Sequence, residues 1–332
     1  MMTDSAQSAD IQGTPGDAGT DGGVPTETTK ISVVRSVGDY KLIRVLGSGA
    51  SGTVFLAEHI FTGQKYAIKM LRVNIPKKNK DMNKLVKRFV NENAAVSRLN
   101  HPGIVKFYEF GFIGRKPERH PYIVMEYFEG DSLDRYIKDR GLLSIPQKIL
   151  ILEQLAMALD AVHSKDIMHR DIKPENILVD SRLNVKITDF GICRLPAGES
   201  MEATMSIAGT PSYMPPEYIS SGETDNRGDI FALGVTAYEL FTGLRPFQAR
   251  GVREIFYKTL NEFPPEPRKV IPGFPQEIQS VLAGMLKKNP AHRYKTARKL
   301  LKDIKRLGRP PEPEGMLSMI FRAISGGGRD WS

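Results

Sequence analysis

Short strand-like runs crowd the first part of this sequence and long helical periodicities fill the rest. That segregation limits the architecture more than any other feature. From Tyr40, the runs YKLIRVLG, TVFLAEHI and QKYAIKML are β-rich and split by glycine-containing turns. IVKFYEFGF and YIVMEYF follow, joined by the polar loop IGRKPERHP. One helix interrupts them, with Leu85, Phe89, Val96 and Leu99 on a single stripe. After Phe128 the period changes. IPQKILILEQLAMALDAVHSK carries Ile149, Leu152, Leu155, Ala156, Leu159 and Val162 on one broad face. DIFALGVTAYELFTG is apolar nearly all round, the mark of a buried helix. The expected fold is α+β: a small sheet lobe with one helix, then a larger helical lobe. A cleft between two such lobes suits a ligand.

Composition narrows the function. The net charge is +9, but the cations are scattered, so nucleic-acid binding is not expected. Cys193 is the single cysteine, which rules out an intrachain disulfide, and it reads as a small core residue. The six histidines show no zinc spacing. No basic segment leads into an apolar stretch at the start, and no apolar run is long enough to span a bilayer. A soluble, cytoplasmic protein is the expectation. Residues 1–38 are rich in Gly, Ser, Thr, Asp and Pro, read as a disordered acidic tail of net −3 that leaves +12 on the remainder.

Two buried charges are the next clue. Glu92 falls on the apolar stripe of its helix, three residues after Phe89 and four before Val96. Lys69 shares a strand face with Ala67 and Leu71. Each charge is costly alone, and together they can pair. Seventeen residues before Lys69 stands Gly52, the last glycine of LGSGASGTV, which also holds Gly47 and Gly49. A dinucleotide fingerprint needs a helix after the glycines, but β-branched residues follow here. A Walker loop needs Lys and Ser/Thr after the last glycine, and this chain has Thr53 and Val54. What remains is a glycine-rich hairpin whose amides can cover phosphates, or a plain flexible hairpin.

HRDIKPEN (His169–Asn176) follows the long amphipathic helix, and DFG (Asp189–Gly191) comes thirteen residues after Asn176. GxGxxGxV, AIK, a helix glutamate, HRDxKxxN and DFG in this order resemble the eukaryotic-type (Hanks-type) serine/threonine protein kinases, bacterial members included. The resemblance covers roughly Tyr40 to Leu307. It implies an α+β bilobal kinase fold, with a small antiparallel sheet lobe over 39–128 and a mainly helical lobe over 129–308. ATP and Mg²⁺, with Mn²⁺ as an alternative, are the implied cofactors, and Ser/Thr residues of proteins the implied acceptors. By the same resemblance Lys69 holds phosphates and Glu92 orients it. Asp171 takes the acceptor proton, Lys173 neutralises the transferred group, and Asn176 and Asp189 hold the metal. Thr210 bonds Asp171 and Lys173. The glycine loop supplies Leu46, Gly47, Ser48, Gly49, Ala50, Ser51, Gly52, Thr53 and Val54. Val54, Ala67 and Leu178 join Leu46 around the base, Met125 is the gatekeeper, and the backbone of Glu126 and Phe128 meets the purine edge. His169, Phe190 and Val96 belong to an internal apolar spine.

The resemblance also addresses regulation. Arg170 is expected to grip a phosphate on the loop Gly191–Glu217, with Thr204 and Ser206 as autophosphorylation sites. Pro215-Pro216-Glu217 replaces the family's Ala-Pro-Glu, and Glu217 is expected to pair with Arg293. Asp229 is either an N-cap or an anchor for the catalytic loop backbone. Beyond the linker GRPPEPEG, residues 309–332 hold a short stretch with Met316, Leu317, Met319, Ile320, Ala323 and Ile324 on one helical face. It could dock on the large lobe, on a partner or peripherally on a membrane, and self-association of the kinase domain is also open. Two rivals remain. A scaffold without transfer activity is disfavoured by the intact Lys69, Glu92, Asp171, Asn176 and Asp189. A small-molecule phosphotransferase is disfavoured by Lys173, the GTP-x-Y segment and Glu217.

Overall fold

The computed structural model describes residues 36–49, 52–72, 99–114, 120–139, 143–190 and 211–307. Ala50, Ser51, Glu92, Val96, Cys193, Thr204, Ser206 and Thr210 lie outside the described residues, as do the two terminal segments.

Six strands form one antiparallel sheet: β1 (Ser36–Val37), β2 (Tyr40–Gly49), β3 (Gly52–His59), β4 (Lys65–Leu71), β5 (Phe107–Ile113) and β6 (His120–Glu126). Their order is β1-β2-β3-β4-β6-β5. The chain leaves the sheet after Leu71 and returns with β5 at the far edge. Strand alternation then sorts the side chains. Val54 and Ile123 are the cross-strand partners of Lys69, so they share its face. Ala57, Ile68, Tyr122 and Val124 pack with Val37 on the other.

A second, three-stranded sheet joins β7 (Asp131–Ser132), β8 (Ile177–Val179) and β9 (Val185–Ile187). Two helices lie between β7 and β8: α1 (Leu133–Lys138) and α2 (Ile145–His163). A capping box opens α2, where the Ser144 N–H donates to Gln147 Oε1 at 2.8 Å. Ile151, Leu152, Leu155, Ala156, Ala158, Leu159 and Val162 are buried along it. Then come α3 (Pro216–Ser221), α4 (Asn226–Thr242), α5 (Val252–Asn261), α6 (Pro267–Val270), α7 (Gln276–Met285) and α8 (Ala297–Ile304).

Helix α4 is the spine of this lobe, buried at every position from Gly228 to Thr242. Gly234 lets it press against α7, since a Cβ there would come within 2.8 Å of Met285 Cβ. The N-cap alternative for Asp229 is corrected. Asp225 caps α4, its carboxylate accepting from the Arg227 N–H at 2.8 Å. Asp229 therefore lies inside the first turn, where its carboxylate serves another purpose.

The two sheets are tied near the cleft. The Ile187 N–H donates to the Gly103 carbonyl at 2.9 Å, and the Val105 N–H donates to the Ile187 carbonyl at 3.0 Å. This fixes β9, and with it Asp189 two residues on, against the segment that feeds β5.

Candidate active site

The face of the large sheet that carries Lys69 holds an apolar cluster. Ala67, Val105 and Met125 are buried together, with Val54 and Leu178 packed against them. Four of these five were expected from the sequence, and Val105 was not. Leu46, in the second half of β2, is 37% exposed. The Thr188 hydroxyl approaches Met125 Sδ at 3.9 Å. The Glu126 N–H is already committed to the Lys106 carbonyl at 2.8 Å. It cannot donate to a purine, so any bond from this residue must use its carbonyl. The Glu126 carboxylate also turns away, accepting from Lys186 Nζ at 3.0 Å and from the Lys106 N–H at 3.1 Å. Lys186 stands within 5.8 Å of the centre of the Phe128 ring.

The two arms of the glycine hairpin pair as β2 and β3. Gly47 pairs with Val54, Ser48 with Thr53 and Gly49 with Gly52. Gly52 has φ +150°, and a Cβ there would meet the Met70 carbonyl oxygen at 2.1 Å. Only glycine satisfies that position.

Charge collects where the two sheets meet. Lys69 Nζ lies 2.7 Å from Asp189 Oδ2, with the lysine side chain 8% exposed. Asp171 Oδ2 is held on two sides, by Asn176 Nδ2 at 2.8 Å and by Lys173 Nζ at 3.0 Å. Asn176 Nδ2 also donates to the Asp171 carbonyl at 2.8 Å. Among the described residues no three His, Cys, Asp or Glu side chains form a metal cluster. Asn176 and Asp189 instead offer one amide oxygen and one carboxylate. That hard, sparse donor set fits Mg²⁺, which completes its shell with water and substrate phosphates.

Asp229 organises the loop that carries Asp171. Its Oδ2 accepts from the His169 N–H at 2.8 Å and from His163 Nε2 at 2.9 Å, and its Oδ1 accepts from the Arg170 N–H at 2.8 Å. Burial pushes this carboxyl up, but the hydrogen bonds and the nearby histidines outweigh burial and hold it below the usual range. Arg170 has φ +66° and Asp189 φ +57°, left-handed conformations that a non-glycine residue adopts only when its surroundings hold it there. The Asp229 grip on two successive amides is that hold for Arg170.

His169 is buried, with its ring 4.5 Å from that of Phe190. Nε2–H donates to the Thr188 carbonyl at 3.1 Å, and Nδ1 accepts from the Asp171 N–H at 3.2 Å. One ring nitrogen must donate and the other accept, so the ring is neutral. Burial lowers its pKa in agreement. In the unfolded chain an imidazole takes up a proton near pH 6.5, so below that the unfolded state binds more protons. Stability is therefore expected to fall as pH drops through about 6.5. Urea midpoints measured on each side of that pH should show a smaller loss in His169→Phe, which keeps the ring contact with Phe190 but cannot titrate.

A second buried pair lies further out. Arg293, its side chain 0% exposed, bonds both oxygens of Glu217 at 2.9 and 3.0 Å. It also donates to the carbonyls of Arg227, Lys287 and Lys288 at 2.6, 3.1 and 3.3 Å. In the same lobe, Tyr213 donates to Glu239 at 2.5 Å, and Glu239 accepts from Arg245 at 3.1 Å. Burial and Glu239 push the Tyr213 hydroxyl far up. Sequence reasoning missed His163, Arg245 and the Tyr213–Glu239 bond. A signal existed for Glu239, a carboxylate inside an otherwise apolar helix.

Comparison with known proteins follows from this geometry. The family described as protein kinase domain matches residues 40–304. Serine/threonine-protein kinase PrkC of Bacillus subtilis is 37% identical over 82% of this chain and 41% of its own length. Serine/threonine-protein kinase PknB of Mycobacterium tuberculosis is 33% identical over 84% of this chain and 45% of its own. A probable serine/threonine-protein kinase PknB of Corynebacterium glutamicum is 34% identical over 81% and 42%. The chain thus matches less than half the length of each of these relatives.

Proposed function

This chain belongs to the protein kinase domain family, and we propose that it transfers the γ-phosphoryl group of MgATP to serine and threonine hydroxyls of proteins. The observation that carries this reading is the meeting of Lys69 with Asp189, and of Asp171 with Asn176 and Lys173, the two groups joined by the Thr188 N–H bond to the Asn176 carbonyl. Phosphoryl transfer asks mainly for positioning and charge neutralisation. The pocket of Val54, Ala67, Met125 and Leu178 takes the adenine ring, and the amides of the glycine hairpin cover the phosphates. Lys69 neutralises phosphate oxygens on the cleft side of β4, with Glu92 as its orienting partner. Asp171, fixed by Asn176 and Lys173, orients the acceptor hydroxyl and receives its proton, and Lys173 offsets charge on the group in flight. Asn176 and Asp189 would hold Mg²⁺, which supplies further neutralisation between the phosphates. Thr210 joins Asp171 and Lys173, and favours Ser/Thr acceptors. Among the described residues no helix is long and apolar enough to cross a membrane.

Autophosphorylation at Thr204 and Ser206, read by Arg170, is the proposed route of activation. Intact mass and phosphopeptide mapping after incubation with Mg²⁺ and ATP test the whole reading. Phosphate added at Thr204 or Ser206 is the expected result. Phosphorylated acceptor protein with both residues unmodified would overturn the activation route alone. No transfer to the chain or to a generic acceptor would overturn the kinase reading.

A further inference from the structure

We propose that Ser48, on the outer face of the glycine hairpin, is a phosphorylation site whose phosphate is held by Arg72, and that a second copy of this chain delivers it. The delivery rests on the kinase reading above, and the site rests on the hairpin itself.

An acceptor hydroxyl must be reachable by another enzyme's cleft. β2 meets this need beyond its first residues. β1 pairs with it only at Tyr40 and Lys41, so from Leu42 onward β2 has β3 on one side and no described strand on the other. Every residue from Ile43 to Gly49 is exposed. The two glycines that flank Ser48 add room, since a Cβ at Gly47 or Gly49 would meet nothing within 4 Å. Thr53, the cross-strand neighbour, lacks this freedom. It lies on β3, which is paired on both sides there.

The second requirement is a group that reads the phosphate. Ser48 Oγ accepts from Arg72 Nη2 at 3.0 Å, while Arg72 Nη1 donates to the Gly49 carbonyl at 3.1 Å. Ser48 Oγ is also 3.0 Å from Thr53 Oγ1. A guanidinium and a hydroxyl thus already converge on the oxygen that would carry the phosphate. Arginine matches phosphate with two parallel N–H bonds, and such charge-assisted bonds are about twice as strong as neutral ones. A phosphoserine carries a charge of about −1.5 to −2 near pH 7, so the contact of a charge with a hydroxyl becomes an ion pair.

Strand alternation decides which molecule delivers the phosphate. Ser48 pairs with Thr53 and Thr53 with Met70, so these side chains share one face. Lys69, next to Met70 on the same strand, takes the other face, where it meets Asp189. Ser48 therefore faces away from its own chain's charged site, and the transfer runs between molecules. In that step Ser48 Oγ bonds to the γ-phosphorus of ATP held by the second copy. The bond from that phosphorus to the β–γ bridging oxygen breaks, ADP leaves, and the hydroxyl proton passes to the second copy's Asp171.

Two measurements test this. In the first, the wild-type chain and MgATP are mixed with an excess of isotope-labelled Asp171→Asn chain, and phosphopeptides of the labelled chain are mapped. Phosphate on its Ser48, at an initial rate proportional to the wild-type concentration, is the expected result. Phosphate on a generic acceptor protein but none on Ser48 would overturn the proposal. No phosphate on either chain or on the acceptor would overturn the kinase reading, and the delivery with it. In the second, phosphoserine is installed at position 48 during synthesis and its titration is followed by phosphorus NMR. Free phosphoserine loses its second proton near pH ~6. Beside Arg72 its proton affinity should be roughly threefold lower or more than in the urea-unfolded chain. Arg72→Gln should abolish that difference, and Arg72→Lys, which keeps the charge without the paired bonds, should fall between. The same titration with Arg72 and with Arg72→Gln would overturn Arg72 as the reader.

Discussion

Asp171→Asn is expected to cut phosphoryl transfer by about 10²–10⁴-fold, the usual contribution of a positioned proton acceptor. The substitution should be quiet structurally. Asn176 and Lys173 both reach Oδ2, and an amide oxygen at that place can still accept from them. What disappears is the negative charge that receives the proton. Single-turnover phosphorylation of an acceptor protein would measure the loss, and a melt would verify that the fold is unchanged. Nucleotide affinity should stay within about twofold, because the group acts on the acceptor and not on the base. Activity within tenfold of the wild type would sink the assignment of Asp171 as the proton acceptor.

The largest effect on stability is expected at Arg293. Arg293→Met removes bonds to two carboxylate oxygens and three carbonyls in a fully covered site. Breaking a buried ion pair from one side costs about 3–5 kcal/mol, because the partner charge stays buried alone. For a domain of this size that lowers Tm by roughly 6–20 °C. Adding Glu217→Gln should restore part of the loss, since the stranded charge is then gone. Arg293→Lys should not rescue, since a single ammonium cannot bridge both carboxylate oxygens and reach the carbonyls. A loss below about 1 kcal/mol by urea unfolding would mean that the pair is no tighter than a surface contact.

Sequence carried the local part of this picture well. Period-two runs marked β2, β3, β4 and β6, and the stripe over Ile149–Val162 marked α2, because each element reports its own buried face. Lys69 stood out as a charge on an apolar strand face, and it proved to be bonded, to Asp189. Partners were harder. His163 and Asp229 are 66 positions apart, and Lys186 and Glu126 are 60 apart. Periodicity tells which way a side chain points from its element, but not how two elements register against each other. The bonds from the Arg72 guanidinium to the Gly49 carbonyl and Ser48 Oγ were invisible for the same reason. An exposed arginine after a strand has no pattern to betray it, and its contact depends on where an irregular hairpin folds back. The Glu217–Arg293 pair was expected only through resemblance, since neither residue sits on an informative periodic face.

One consequence of the Asp229 grip concerns which sequences the catalytic loop can tolerate. The carboxylate holds the amide hydrogens of His169 and Arg170 and ignores what their side chains are. Every amino acid but proline brings that hydrogen. The loop's course is therefore specified from α4, while the side chain at position 170 remains open to variation. A chain built this way can rewrite how its loop answers to regulators without redrawing the path that delivers Asp171.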